Sequence, residues 1–242
     1  MADLNWIVDS LTWEDLKQRL QDPQNVEEVK KFLSGEPFNY IEGIQFQMLP
    51  SELASQALDL TAEIHTQKIP INRFLNVSKE QFLMQPIDKT DFMTKSFIIK
   101  VGEEIIGAFI TCDKETIEFP KPQTEEETQL FMKVKPVWKF IETCKVELKG
   151  RVLYGYFDAV KEEYSRRGLG RIGNGIRVAL GYYLGYDYIA RLANNSSSAK
   201  CASAYMETYP PVQFSSFEIN GQKPFEELDD SACFQVTNLR SE

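Results

Sequence analysis

The sequence predicts a mixed α/β or α+β domain. Strand-like and helix-like segments alternate along most of its 242 residues, and the strongest strand runs through a glycine-rich turn into a helix. Apolar residues make up 43% of the chain, enough for a sizeable core in one domain or one domain with decorations.

The first forty residues read as a helical extension, 1–40, ahead of a main domain, 41–242. Thr12 with Asp15 forms a capping pattern before Trp13, Leu16 and Leu20 at helical spacing. Val26, Val29 and Phe32–Leu33 give a second helix that stops near Gly35 and Pro37. Residues 44–49 alternate as a strand, and Pro50 opens a helix to about Glu63. Pro70 makes 69–75 a loop or short helix. Ser96–Val101 and Ile105–Cys112 form a hairpin around a tight polar connection. Residues 114–128 are an acidic excursion. Gln129–Cys144 has helical spacing, with Pro136 expected to break or kink it. Val152–Val160 is the clearest strand. A helix follows over about Arg171–Leu184, then a strand, Tyr186–Ala193, and a small-residue helix, Ser196–Tyr205. The tail reads as two strands joined by a turn and loop.

Charge and composition narrow the function. The net charge of −9 argues against a nucleic-acid partner, since phosphate contacts need surplus Lys and Arg. It is compatible with a cationic substrate, though most acidic surfaces merely keep a protein soluble. The amino terminus lacks a signal-like apolar run, no stretch is long enough to span a bilayer, and the four cysteines are scattered. The expectation is a soluble, cytoplasmic protein with free thiols and no membrane partner. A single histidine, His65, leaves no histidine-rich metal site, and no metal is expected.

The chemistry concentrates in Ser165–Arg171. Arg166, Arg167 and Arg171 crowd around Gly168 and Gly170 at a helix start, where cations oppose the helix dipole at about 0.3–1 kcal/mol each. An anion on the first-turn amides would make sense of them, and glycines let a backbone approach it. Gly173, Gly175 and Gly181 inside the helix point to close packing, and a phosphate-bearing ligand would account for both features. An exposed basic turn is the alternative. Residues 168–173 also spell GxGxxG, but KEEYSRR separates the strand from the first glycine and Asn194–Asn195 replaces the acid after the next strand, so a nicotinamide fold is rejected.

The run AVKEEYSRRGLGRIG resembles the pyrophosphate-binding motif of GNAT N-acetyltransferases, with Ser165 in place of the usual first Gln or Arg. The order of elements over 44–240 is similar to the invertebrate arylalkylamine N-acetyltransferase-like branch, in which an E-P-L-N segment follows the first helix, and Ile69-Pro70-Ile71-Asn72 resembles it. The resemblance implies a mostly antiparallel mixed sheet flanked by helices, with acetyl-CoA as cosubstrate. It implies pyrophosphate held by Ser165, Arg166, Arg167, Gly168, Leu169, Gly170 and Arg171, a pantetheine arm along Asp158, Ala159 and Val160, and a contact from Asn195. The acceptor implied is a small primary amine, arylalkyl amines included.

Acetyl transfer needs a neutral amine, an oxyanion donor and a stabilised leaving thiolate, and model amines titrate near pH ~10. The family's base is Glu where this chain has Ile69. Asp158, on the same strand face as Val160, is the substitute candidate, with a structural hydrogen bond as its alternative. Ser198 matches the second of two branch serines, the first being Asn194, and is equally at home as a helix cap. Tyr205 is the candidate thiolate acid, about one turn beyond the usual place, with a core tyrosine as its alternative. Glu63 and His65 read as surface polar residues at a helix end. Two other functions stay in view: an acyl-CoA-binding module with little or no catalysis, motivated by Ile69, and a protein or peptide N-acetyltransferase.

Overall fold

The computed structural model describes residues 1–83, 92, 94–113 and 122–240. Within them a sheet of nine strands carries helices on both faces. The strands are β1 (Phe38–Asn39), β2 (Ile44–Met48), β3 (Phe97–Val101), β4 (Glu104–Asp113), β5 (Val152–Val160), β6 (Tyr188–Ala193), β7 (Glu207–Thr208), β8 (Val212–Gln213) and β9 (Ser231–Asn238). They lie in the order β1-β2-β3-β4-β5-β6-β9-β7, with β8 also on β9. Every pairing is antiparallel except β5 with β6, as a helix crossover between them requires.

Alternation along the strands sorts the core into two layers. Phe97, Ile99, Phe109, Leu153 and Ile189 pack against α8 (Leu169–Tyr183). Ile98, Ala108, Ile110 and Phe157 pack on the opposite face against α4 (Ala54–Lys68). Helices α1 (Asn5–Asp9), α2 (Trp13–Arg19) and α3 (Pro23–Leu33) share the first core through Ile7, Leu16, Val29 and Phe32. The amino-terminal helices are therefore three rather than two, and they are wall to the same core as the sheet.

Two short helices, α5 (Pro70–Phe74) and α6 (Lys79–Leu83), follow α4. The helix α7 runs unbroken from Glu125 to Cys144 through Pro136, against expectation. A full capping box at Thr124 and Glu127 secures its start, and Phe140 stacks on Phe214 with centroids 4.3 Å apart near its end. The tail corrects in part: Val212–Gln213 and Ser231–Asn238 are strands, while Phe214–Ser216 is a 3₁₀ turn. Residues 114–121 of the acidic excursion lie outside the described residues. The last helix, α9, spans Ser196–Ala202.

Candidate functional site

β5 and β6 do not stay together. Their pairing covers Val152–Gly155 against Tyr188–Arg191, while β5 continues to Val160 beside β4 alone. The divergence begins at a bulge. Gly155 faces Thr111 and Phe157 faces Ile110, so Tyr156 is the extra residue, and such bulges re-aim side chains beside functional sites.

Into the parting point come two buried arginines. Arg177 of α8 is fully buried and reaches under Gly155. Its Nε donates to the Thr111 hydroxyl at 3.1 Å, and its Nη1 to Asn174 at 2.9 Å. Its Nη2 pairs with one oxygen of Asp158. Arg191 of β6 sets Nη1 2.7 Å from the other Asp158 oxygen and 3.1 Å from Asn174 Oδ1, and its Nη2 donates to Ser198 Oγ. Burial alone would raise the Asp158 pKa, but the two guanidiniums outweigh it and hold the carboxyl below its usual range. Asp158 is thus a weak proton acceptor with both oxygens engaged, which is its structural alternative and not the geometry of a general base.

His65 is buried in α4, not at the surface. Its Nε2 donates to the Asp158 carbonyl oxygen at 3.1 Å, which fixes the tautomer, and burial lowers its pKa to about 4. The ring is neutral at pH 7. Of the strand edge expected to meet a pantetheine arm, the Asp158 carbonyl is therefore already taken. Ala159 is buried and Val160 half-buried at the end of that edge.

Two small cavities open where the strands part. One, about 30 Å³, is lined by His65, Ile69, Asp158, Arg191 and Ser198 among others. Its neighbour, about 70 Å³, is walled by Trp138, Ile141, Lys145, Tyr154 and Phe157. Gly155, Tyr156, Leu192 and Asn194 belong to both. The Tyr156 hydroxyl is buried with no hydrogen-bond partner. Burial raises the pKa of Tyr154 and Tyr156 well above that of a free phenol, so both are protonated.

The glycine turn lies at the start of α8. Gly168 is its N-cap at φ +78°, a left-handed conformation that glycine adopts without strain, and no side chain caps the helix. The first backbone bond of α8 runs from Ile172 N–H to Gly168, so the amides of Leu169, Gly170 and Arg171 have no helical partner. The side chains around them are less available than the sequence implied. Arg167 pairs with Glu42, and the Ser165 hydroxyl turns back to the Glu162 carbonyl. Arg171 donates to the Val8 and Ser10 carbonyls at 2.8 and 2.7 Å, closing the carboxyl end of α1. Leu169 is buried in the core and Arg166 is exposed.

Three further expectations change. A Cβ at Gly173, Gly175 or Gly181 would stand 2.1 Å from Phe109, 2.6 Å from Ile7 or 2.2 Å from Ile189. Those glycines serve internal packing, not a phosphate. Tyr205 is buried, with its hydroxyl 2.9 Å from the Ser10 carbonyl and 3.1 Å from Arg171, and it lines neither cavity. Asn195 caps α9 by accepting from the Ser198 amide at 2.8 Å. Among the described residues no acidic, His or Cys cluster is arranged to hold a metal, and no helix is long and apolar enough to cross a membrane.

The mostly antiparallel sheet and its flanking helices have the GNAT fold. No family model and no curated protein matches the sequence. Solved structures match its fold. The C-terminal condensation domain of Ebony, in complex with beta-alanyl-dopamine, aligns at TM-score 0.65 and 14% identity over 81% of this chain and 98% of its own. Arylalkylamine N-acetyltransferase 2 from Aedes aegypti aligns at 0.62 and 11% over 82% and 100%. A mosquito arylalkylamine N-acetyltransferase like 5b aligns at 0.58 and 13% over 81% and 99%. At these identities the likeness establishes the fold.

Proposed function

We propose that this protein is an acetyl-CoA-dependent N-acetyltransferase acting on a small primary amine. The observation that carries the reading is the uncapped start of α8 behind Gly168, set at the end of the strand that parts from β6. Neighbours of the same fold bear the name arylalkylamine N-acetyltransferase, and one holds an acylated amine, beta-alanyl-dopamine. The residues present fit the cosubstrate at the turn: the Leu169, Gly170 and Arg171 amides offer three donors to a pyrophosphate, with exposed Arg166 beside them.

Acetyl-CoA supplies an activated acetyl group when bound. The chain's own residues set the electrostatics around it. Arg177 and Arg191 share one carboxylate, so the parting point keeps a surplus positive charge. That charge depresses the pKa of an ammonium group nearby and favours the neutral, nucleophilic amine, whose proton leaves to water. The same charge favours an oxyanion or a departing thiolate. Tyr156, protonated and unpartnered on the wall, is a hydrogen-bond donor to either.

A second reading, an acyl-CoA-binding module with little catalysis, draws on the cavity wall itself. Ile69 stands where a base would be, and Asp158 is held by two arginines. Thiol release in the presence of an amine separates the two.

Calorimetric titration with acetyl-CoA tests the site. Gly168→Asp places an anion on the cradle, and because a side chain is strained at a φ of +78° its folding is checked by circular dichroism. Micromolar binding by the wild type, abolished in this variant, supports the reading. A folded wild type that fails to bind acetyl-CoA ends it.

A further inference from the structure

In a chain of net charge −9, the two cavities are basic. Arg191 lines the first and Lys145 the second, with Arg177 directly behind Gly155. The one carboxylate among the described lining residues is Asp158, and each of its oxygens faces a guanidinium. His65 is neutral, and Tyr154 and Tyr156 keep their protons. A cationic amine meets no counter-charge in such a chamber. An anion does: Arg191 and Arg177 have the single Asp158 carboxylate between them.

A second observation points the same way. Tyr156 belongs to both cavity walls, and its hydroxyl is buried without a partner. Such a group is costly unless a ligand completes its bonding, and a carboxylate oxygen accepts from a phenol and a guanidinium together. The walls around it, Trp138, Tyr154 and Phe157, suit an apolar or aromatic body.

We infer that one of the two reactants carries a carboxylate close to the reacting centre, recognised by Arg191 and Tyr156. The inference rests on the acyl-transfer reading of this site. An acceptor of this kind is an α-amino acid with an apolar or aromatic side chain, and a donor of this kind is the thioester of a dicarboxylic acid. In either case the amine nitrogen bonds the acyl carbon, the carbon–sulfur bond breaks, the departing thiolate takes the proton that the nitrogen sheds, and the carboxylate is unchanged.

Matched substrates decide between them. In the first arm, acetyl-CoA is offered with phenylalanine against phenethylamine and with alanine against ethylamine, each pair differing only in the carboxylate. In the second, phenethylamine is offered with succinyl-CoA against acetyl-CoA. The expected result is a kcat/KM about tenfold or more higher for the carboxylate-bearing member in one arm, lost in Arg191→Gln and partly kept in Arg191→Lys. Should Arg191→Gln fail to fold, Tyr156→Phe is expected to narrow the preference severalfold. Bare amines with acetyl-CoA reacting as well as or better than both anionic alternatives overturns the inference and leaves acyl transfer standing. If acetyl-CoA is not bound at all, the acyl-transfer reading falls. Titration with N-acetylphenylalanine and N-acetylphenethylamine then decides the anion site, tighter binding of the former upholding it and equal binding overturning it.

Discussion

Gly155 lies against the guanidinium of Arg177: a Cβ built at 155 would stand 2.7 Å from Nη1 and 2.8 Å from Cζ. A side chain on β5 at this point and a buried arginine beneath it exclude each other. Gly155→Ala is therefore expected to push Arg177 out of its bonds to Thr111, Asn174 and Asp158, destabilising the fold by about 1–3 kcal/mol. Urea unfolding midpoints check this. An unchanged midpoint would mean the guanidinium has room that the packing does not show.

The cluster itself is a larger liability. Asp158 is 19% exposed and faces Arg177, which is fully buried, and Arg191. Asp158→Asn leaves two guanidiniums without a counter-charge, and a loss of about 3–5 kcal/mol is expected. The comparison variant is Asp158→Glu, which keeps the charge. If Asn and Glu cost the same, shape rather than charge holds the site together.

His65 gives the fold a pH dependence of definite sign. Its folded pKa of about 4 lies below the ordinary 6.5, so the unfolded chain binds the extra proton first as pH falls. Stability is full above about pH 6.5 and declines toward pH 4, by about 3 kcal/mol across the window. The check is urea unfolding from pH 7.5 to 4.5 in the wild type and in His65→Gln, whose amide still donates toward the Asp158 carbonyl. The variant is expected to show a flatter slope between pH 6.5 and 4.5.

Much of this architecture was legible in the sequence because it follows from periodicity. Val152–Val160 and the helix after Gly168 were visible as a strand and an amphipathic run, and the glycines of α8 announced close packing. The polar centre was hidden because its members sit singly inside apolar stretches. Arg177 is flanked by Ile176 and Val178, and Arg191 by Ala190 and Leu192. Two clues stood in the sequence all the same. Arg177 stands in Ile172–Gly181, a run of apolar residues and glycines broken otherwise only by Asn174, and Gly155 is the one glycine in β5. His65 continues the buried face of Leu58, Thr61 and Ala62 at helical spacing. Tyr205 and Arg171 were misleading since their partners, the Val8 and Ser10 carbonyls, are more than 160 residues away in sequence and no spacing rule reaches them.

Arg171 separates the two roles open to a basic residue in the turn. Its guanidinium is spent on the carbonyls that end α1 and on the Tyr205 hydroxyl. Arg171→Met is expected to cost about 1–3 kcal/mol of stability and to speed proteolysis near residues 8–11, with acetyl-CoA affinity little changed. Arg166→Glu is expected to do the reverse, since that side chain is exposed beside the uncapped amides. Parallel thermal melts and titrations distinguish them, and an equal loss of affinity in both variants would return Arg171 to the ligand.

Ile69 offers the last and most direct probe of how the chamber works. It stands at the N-cap of α5 and on the wall of the smaller cavity, which Arg191 also lines. Glutamate there would add a negative charge where the present surplus is positive, held ionised by that arginine. Two consequences oppose each other for different substrates. A bare amine gains a proton acceptor and a counter-charge, so its kcat/KM is expected to rise about tenfold or more, the scale of a positioned general base. A reactant bearing a carboxylate loses its attraction to Arg191 and meets a like charge instead, so its kcat/KM is expected to fall. Ile69→Glu should therefore invert the preference between phenethylamine and phenylalanine. An increase for both substrates would show that the missing base alone limits the wild type and that the arginine surplus selects nothing.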